Sequence, residues 1–101
     1  MASLSIIYWR DIPAQVVVRH GRTTAKVQLS ARFQEAVDRA AMRAGRGSSD
    51  AYLADWKRGD ARPCGADLQA EAAAEAARIE AAYTDEALET LIRSKGLAAG
   101  S

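Results

Sequence analysis

Arginines, one histidine, one cysteine and a scatter of carboxylates are the residues in this chain whose types could do chemistry. His20 is the only imidazole, and it is flanked by Arg19, Gly21 and Arg22 with no acid near it to orient the ring for proton transfer. Cys64 is the only cysteine, follows Pro63, and reads as a loop thiol. It can make no internal disulfide, and one Cys with one distant His excludes a zinc finger or ribbon. Glu71, Glu75 and Glu80 read as the polar face of a helix, with Glu75 and Arg78 spaced to pair at i,i+3. A bundle metal site needs a Glu-x-x-His partner that is missing, so neither a metal nor a cofactor is expected. Gly45-Arg46-Gly47 lies at a helix end, outside any phosphate-loop pattern.

Two polar constellations remain. Arg19, Arg22 and Lys26 are joined by Arg32, Arg39, Arg43 and Arg46, which fall within about 60° of one another on a helix and form a ridge beside its apolar stripe. Such guanidinium groups can hold carboxylates or phosphates in bidentate fashion. The other constellation is Tyr8-Trp9-Arg10-Asp11, a charged pair directly after two aromatics at a strand end. Arg10 and Asp11 form a rim ion pair in the plain reading; in the functional reading Trp9 and Arg10 belong to an exposed contact patch, where those residue types are enriched.

The elements that must position these groups follow from patterning. Leu4 to Trp9 is apolar on both faces and reads as a central or doubly covered strand. Asp11-Ile12-Pro13 is the expected connection to a second strand over about Gln15 to Arg19. His20-Gly21 then supplies the turn. Thr23 to Leu29 alternates cleanly, with Thr23, Ala25, Val27 and Leu29 on one face. Either a three-stranded antiparallel meander or a split arrangement with the first strand in the middle fits.

After this everything reads as helix. Ser30 is placed to cap a helix whose apolar positions Phe33, Ala36, Val37, Ala40 and Ala44 end at Gly45. Ser48 or Ser49 opens a short helix with Tyr52, Leu53 and Trp56 on one face, stopped by Gly59. A third helix spans about Asp67 to Tyr83 with a stripe of Leu68, Ala72, Ala76, Ile79 and Tyr83. Thr84 caps a last one facing Ala87, Leu88, Leu91 and Ile92 inward, ended by Gly96. The expectation is one α+β domain over residues 1–96, a three-stranded antiparallel sheet covered by three to four helices, with 97–101 a frayed tail.

The 101 residues, 49% hydrophobic and 27% charged, suit one globular core. The net charge of +1 hides an asymmetry: residues 1–46 carry eight Lys/Arg against three Asp/Glu, and residues 47–101 carry six against ten. Opposite halves attract, inside the fold or between copies. No charged leader precedes a long apolar run and no stretch approaches a membrane span, so a cytoplasmic protein without membrane contact is expected.

The segments Tyr8-Trp9-Arg10-Asp11-Ile12-Pro13-Ala14-Gln15-Val16, Phe33 to Met42 and Asp50 to Lys57 resemble the small bacterial "virulence factor" family, whose module also occurs in the longer conserved virulence factor C proteins. The resemblance covers most of the chain and weakens at Pro63-Cys64 and in the Ala-rich helix. It implies no active site. It does imply an accessory role beside folate- and corrinoid-dependent methyl transfer or methionine synthesis. Together with the residues, this gives a non-catalytic module that binds a protein partner, a methyl-transfer component on the resemblance, through Trp9, Arg10, Asp11, Arg19, Arg22, Arg32, Arg39 and Arg43. The alternative is a nucleic-acid binder using the basic hairpin and the arginine ridge, and a third reading is an enzyme whose site another chain completes.

Overall fold

The computed structural model describes residues 2–46 and 48–98. Three strands, β1 (Ala2–Trp9), β2 (Ile12–His20) and β3 (Thr23–Gln28), form an antiparallel meander. Helices α1 (Ala31–Arg43) and α2 (Ser49–Ala54) follow, then short strands β4 (Trp56–Arg58) and β5 (Arg62–Cys64), then α3 (Leu68–Ala82) and α4 (Asp85–Arg93). The α+β class holds, but the sheet has five strands rather than three. Its order is β3-β2-β1-β4, with β5 also pairing β1. The two added strands account for the doubly apolar character of β1, which is central because β4 and β5 line the edge away from β2.

β4 and β5 correct the expected elements around them. Trp56 leaves α2 and pairs with Trp9 across β4, Leu53 is exposed rather than anchored, and Cys64 sits opposite Ala2 in a strand instead of a loop. The first connection also moves. Trp9 pairs with Ile12, so the turn is Arg10-Asp11. Pro13 belongs to β2, tolerated because the register shifts beside Tyr8, where Ile7 faces Gln15 and Tyr8 faces Pro13. This bulge skips Ala14, whose carbonyl accepts from the Leu29 N–H, and a bulge is a position where a strand tolerates a proline.

The paired residues also show which sheet face is buried. Leu4 pairs with Val18 and Ile6 with Val16, which pairs in turn with Val27. All of these join one core with Phe33, Val37 and Ala40 of α1, Ala72, Ala76 and Ile79 of α3, and Leu88, Leu91 and Ile92 of α4. The α3 and α4 stripes are those expected from the spacing. Asp67 and Thr84 cap them by accepting from the Ala70 and Ala87 N–H groups. Ser30 precedes α1 without a side-chain cap bond of its own. Glu80 of α3 does that work from outside, accepting from the Ser30 N–H at 2.6 Å and the Ser30 hydroxyl at 2.9 Å. A carboxylate at a helix N-terminus satisfies free donors and complements the helix dipole.

Candidate functional site

The Trp9-Arg10-Asp11 rim is where the chain's ends are joined. Trp9 is 0% exposed, donates through Nε1 to the Tyr52 carbonyl at 2.9 Å, and stacks on the Tyr52 ring with centroids 6.1 Å apart. It lies in the core, which removes it from any exposed contact patch. Arg10 turns the corner with φ 54, an uncommon conformation for a side-chain-bearing residue. It is held there from several directions. Its N–H donates to the Asp55 carbonyl, its Nη1 donates to the Lys95 carbonyl at 2.8 Å, and its Nε pairs with Asp55 Oδ2 at 3.3 Å. The guanidinium carbon lies 5.1 Å from the Trp9 ring centroid.

Asp11 does not pair with Arg10. Its N–H donates to the Gly96 carbonyl at 2.8 Å, its Oδ2 accepts from the Ala98 N–H at 2.7 Å, and Lys57 Nζ stands 3.5 Å from Oδ1. The tail is thus tied as far as Ala98; the rest of it, residues 99–101, lies outside the described residues.

The arginines of the expected ridge separate into two groups. Arg32 bridges to Glu80 at 3.2 Å and Asp85 at 3.1 Å. Arg39 makes a two-pronged contact with Glu89. Arg46 holds Asp55 at 2.8 Å. The basic first half and acidic second half therefore meet inside the fold along α1. The Arg46 hydrogen bond, aided by the Arg10 charge, holds the Asp55 carboxyl below its ordinary range against the opposing effect of burial. Burial pushes Glu80 the other way, but the Ser30 donors and Arg32 outweigh it and keep Glu80 low as well. Arg43 is exposed near the end of α1, beside Met42, whose side chain is 75% exposed.

Arg19, Arg22 and Lys26 behave differently. All are exposed, and none has an ion-pair partner among the described residues. By register they belong to the second sheet face or its rim. Ser5 pairs with Val17 and Val17 with Lys26, while Ile7 pairs with Gln15 and Gln15 with Gln28. Arg19 stands between Ser3 and Thr24, and Arg58 of β4 faces Ile7. This face contributes nothing to the helix-covered core except at its margins: Thr24, Lys26, Gln28, Arg19 and Arg58 are exposed, and only the central Ser5 and Val17 are hidden by their neighbours. It carries cations and amides around Ile7 and the hidden Val17, and its strands β1 to β5 contain no Asp or Glu. Sequence reasoning found the hairpin cations but missed Arg58 and the face itself. The signal was present: residues 12–34 contain no Asp or Glu at all.

The remaining candidates take structural places. His20 is exposed next to the Gly21 turn, where φ is 61. Cys64 is half-buried against the core. Glu71 accepts from the Gly65 N–H. Glu75 is not on a solvated face: it is buried, with Arg62 Nη2 at 2.6 Å and Arg78 at 3.3 Å. Among the described residues no group of His, Cys, Asp or Glu could hold a metal ion, and no helix is long and apolar enough to cross a membrane. An open cleft of about 500 Å³ lies by the β4 edge, lined by Tyr8, Asp11, Lys57, Asp60 and Tyr83 among others. Burial raises both phenols, with Asp11 adding to the effect, so they stay protonated as donors at neutral pH.

No curated protein and no solved structure matches the chain. A family model described as "Virulence factor" matches residues 7–92. That span runs from the end of β1 through α4 and so takes in the Trp9-Arg10-Asp11 turn, the basic hairpin and nearly all of the core. The chain belongs to the virulence factor family.

Proposed function

We propose that this chain is a non-catalytic accessory module that docks a protein partner on the helix-free sheet face and its basic hairpin. One observation carries the reading. Arg32, Arg39 and Arg46 of the ridge are consumed by carboxylates of the same chain, leaving Arg43, while Arg19, Arg22 and Lys26 of the hairpin, with Arg58 across the sheet on β4, have no ion-pair partner among the described residues. Arginines left unpaired on an exposed face are common anchors of protein contacts. The process served is folate- or corrinoid-dependent methyl transfer; this rests on the family resemblance alone.

The test is comparative capture. Bait carrying Arg19→Glu/Lys26→Glu loses the partners that wild type retains, whereas Arg39→Ala bait retains them. Equal recovery on all three baits would remove the assignment. The nucleic-acid reading draws on the same cations, but the β2–β3 hairpin that carries most of them has no Phe, Tyr or Trp for base stacking. It requires binding to oligonucleotide that falls steeply with salt, and absence of such binding at low salt eliminates it.

A further inference from the structure

The two edges of the sheet are finished differently. One is made of β4 and β5, three residues each, with Pro63 inside β5. Short strands and a proline are standard ways of making an edge unfit for further pairing. The other edge is β3, six residues long with no proline, no glycine and no bulge in its register with β2. Outside that pairing, no backbone hydrogen bond involves Thr23 to Gln28 among the described residues. Half of the strand's N–H and C=O groups therefore face solvent.

We infer that β3 accepts an extended segment of the partner as an added strand, and that this segment is acidic on one face and apolar on the other. The inference rests on the docking surface proposed above and specifies how it is used. Its charge preference comes from the side chains beside the edge. On the open face a new strand would lie next to Thr24, Lys26 and Gln28, with Arg19 one strand further in opposite Thr24. Carboxylates on alternate residues of the segment meet those cations, and cross-strand pairs of opposite charge stabilise such ladders. On the helix-covered face it would lie next to Ala25 and Val27, both half-buried at the margin of the sheet. Small or branched apolar residues there extend the core sideways. Alternation of the two kinds is what a strand requires.

The charge argument also separates this occupant from others. Antiparallel pairing of β3 with β3 of a second copy, centred on Lys26, would set the two Lys26 side chains across from each other and crowd two basic hairpins together, a like-charge contact that costs stability. A phosphodiester backbone offers acceptors but not the alternating donors and acceptors needed to continue a ladder. Main-chain pairing supplies affinity in strand addition, and alternate side chains supply specificity.

The experiment uses the full chain, isotope-labelled, and two capped octapeptides: one alternating valine with glutamate, the other alternating valine with lysine. The glutamate peptide is expected to bind, to slow hydrogen exchange at alternate amides of β3, and to bind about tenfold more weakly to the Lys26→Glu variant. The lysine peptide is expected not to bind wild type. Lys26→Gln serves as a second variant if Lys26→Glu fails to fold, and it should lie between the other two. Binding of the glutamate peptide with no change at β3 amides overturns strand addition while leaving the docking face intact. Equal binding of both peptides, or of neither, overturns the acidic-strand inference. If neither peptide binds and comparative capture also shows no loss in the hairpin variant, the docking reading falls with it.

Discussion

Gly96 lies flat against Trp9. A Cβ built on Gly96 would stand 2.8 Å from Trp9 Cζ3 and 3.2 Å from Cε3, and the backbone there has φ +85. The indole is fixed by its bond to the Tyr52 carbonyl, so it cannot yield. Gly96→Ala is expected to destabilise the protein by about 2–4 kcal/mol, combining left-handed strain with overpacking. Gly45 is the control: φ is +72 but no atom lies within 4 Å of its added Cβ. Gly45→Ala should cost only about 1–2 kcal/mol. Urea unfolding of the two variants separates the packing part from the backbone part.

Arg10 gives a complementary comparison. Arg10→Ala and Arg10→Gly both lose the guanidinium contacts to Asp55 and Lys95. Only glycine relieves the φ 54 backbone. The glycine variant should therefore be the more stable of the two by about 1 kcal/mol, with both below wild type. Reversal of that order in denaturant melts would mean that the turn changes conformation once the side chain is gone.

Acid should weaken the fold through two carboxylates. The native values of Asp55 and Glu80 are depressed below the ordinary 3.8 and 4.5. Their contribution is complete above those values and is lost as pH falls through them toward the lower native values, because the unfolded chain then binds protons the native state refuses. Unfolding free energy measured downward from neutral pH should begin to fall near the ordinary carboxylate range. The fall should be shallower in Asp55→Asn and Glu80→Gln, each of which starts less stable at neutral pH. An unchanged slope in both variants would assign the acid response to other groups.

Two ion pairs that differ in burial and length should differ in worth. Arg39 and Glu89 are both about half exposed, and Arg39→Ala should change stability by no more than about 0.5 kcal/mol. Glu75 is only 10% exposed in its side chain and takes Arg62 at 2.6 Å. Arg62→Ala leaves that buried carboxylate with Arg78 alone and should cost about 1–2 kcal/mol. Thermal melts at two salt concentrations check the pair, since the Arg39 contribution should vanish first.

The strongly periodic elements were legible in the sequence. The alternation of β3, the stripe and cap of α4 and the apolar face of α1 each rest on several residues repeating one rule. β4 and β5 were hidden because three residues show no period, and because Tyr52, Leu53 and Trp56 share helical spacing even though Trp56 belongs to a strand. Glu75 was misplaced although its position was readable: it is three residues after Ala72 and four before Ile79, inside the α3 stripe. Arg78 is a local partner, but the shorter contact that helps make the burial of Glu75 tolerable comes from Arg62 of β5, and that contact is not local. For the same reason Arg10 and Asp11, neighbours with opposite charge, looked like a pair; their partners are Asp55, Lys95, Gly96, Lys57 and Ala98, all supplied by the fold. The pairing of α1 arginines with the acidic second half follows from the charge asymmetry, but which cations stay unpaired required the sheet order.

Site-directed photo-crosslinking in cells tests the docking face most directly, because it works on a partner whose identity is still open. A photo-reactive amino acid replaces Thr24 or Gln28, both exposed on the open face and uncharged, or Met42 beside Arg43 as the comparison site. The account predicts a discrete protein adduct from Thr24 and Gln28 that disappears when Arg19→Glu/Lys26→Glu is added, and none from Met42. Adducts from Met42 alone, or none from either sheet position, would contradict it.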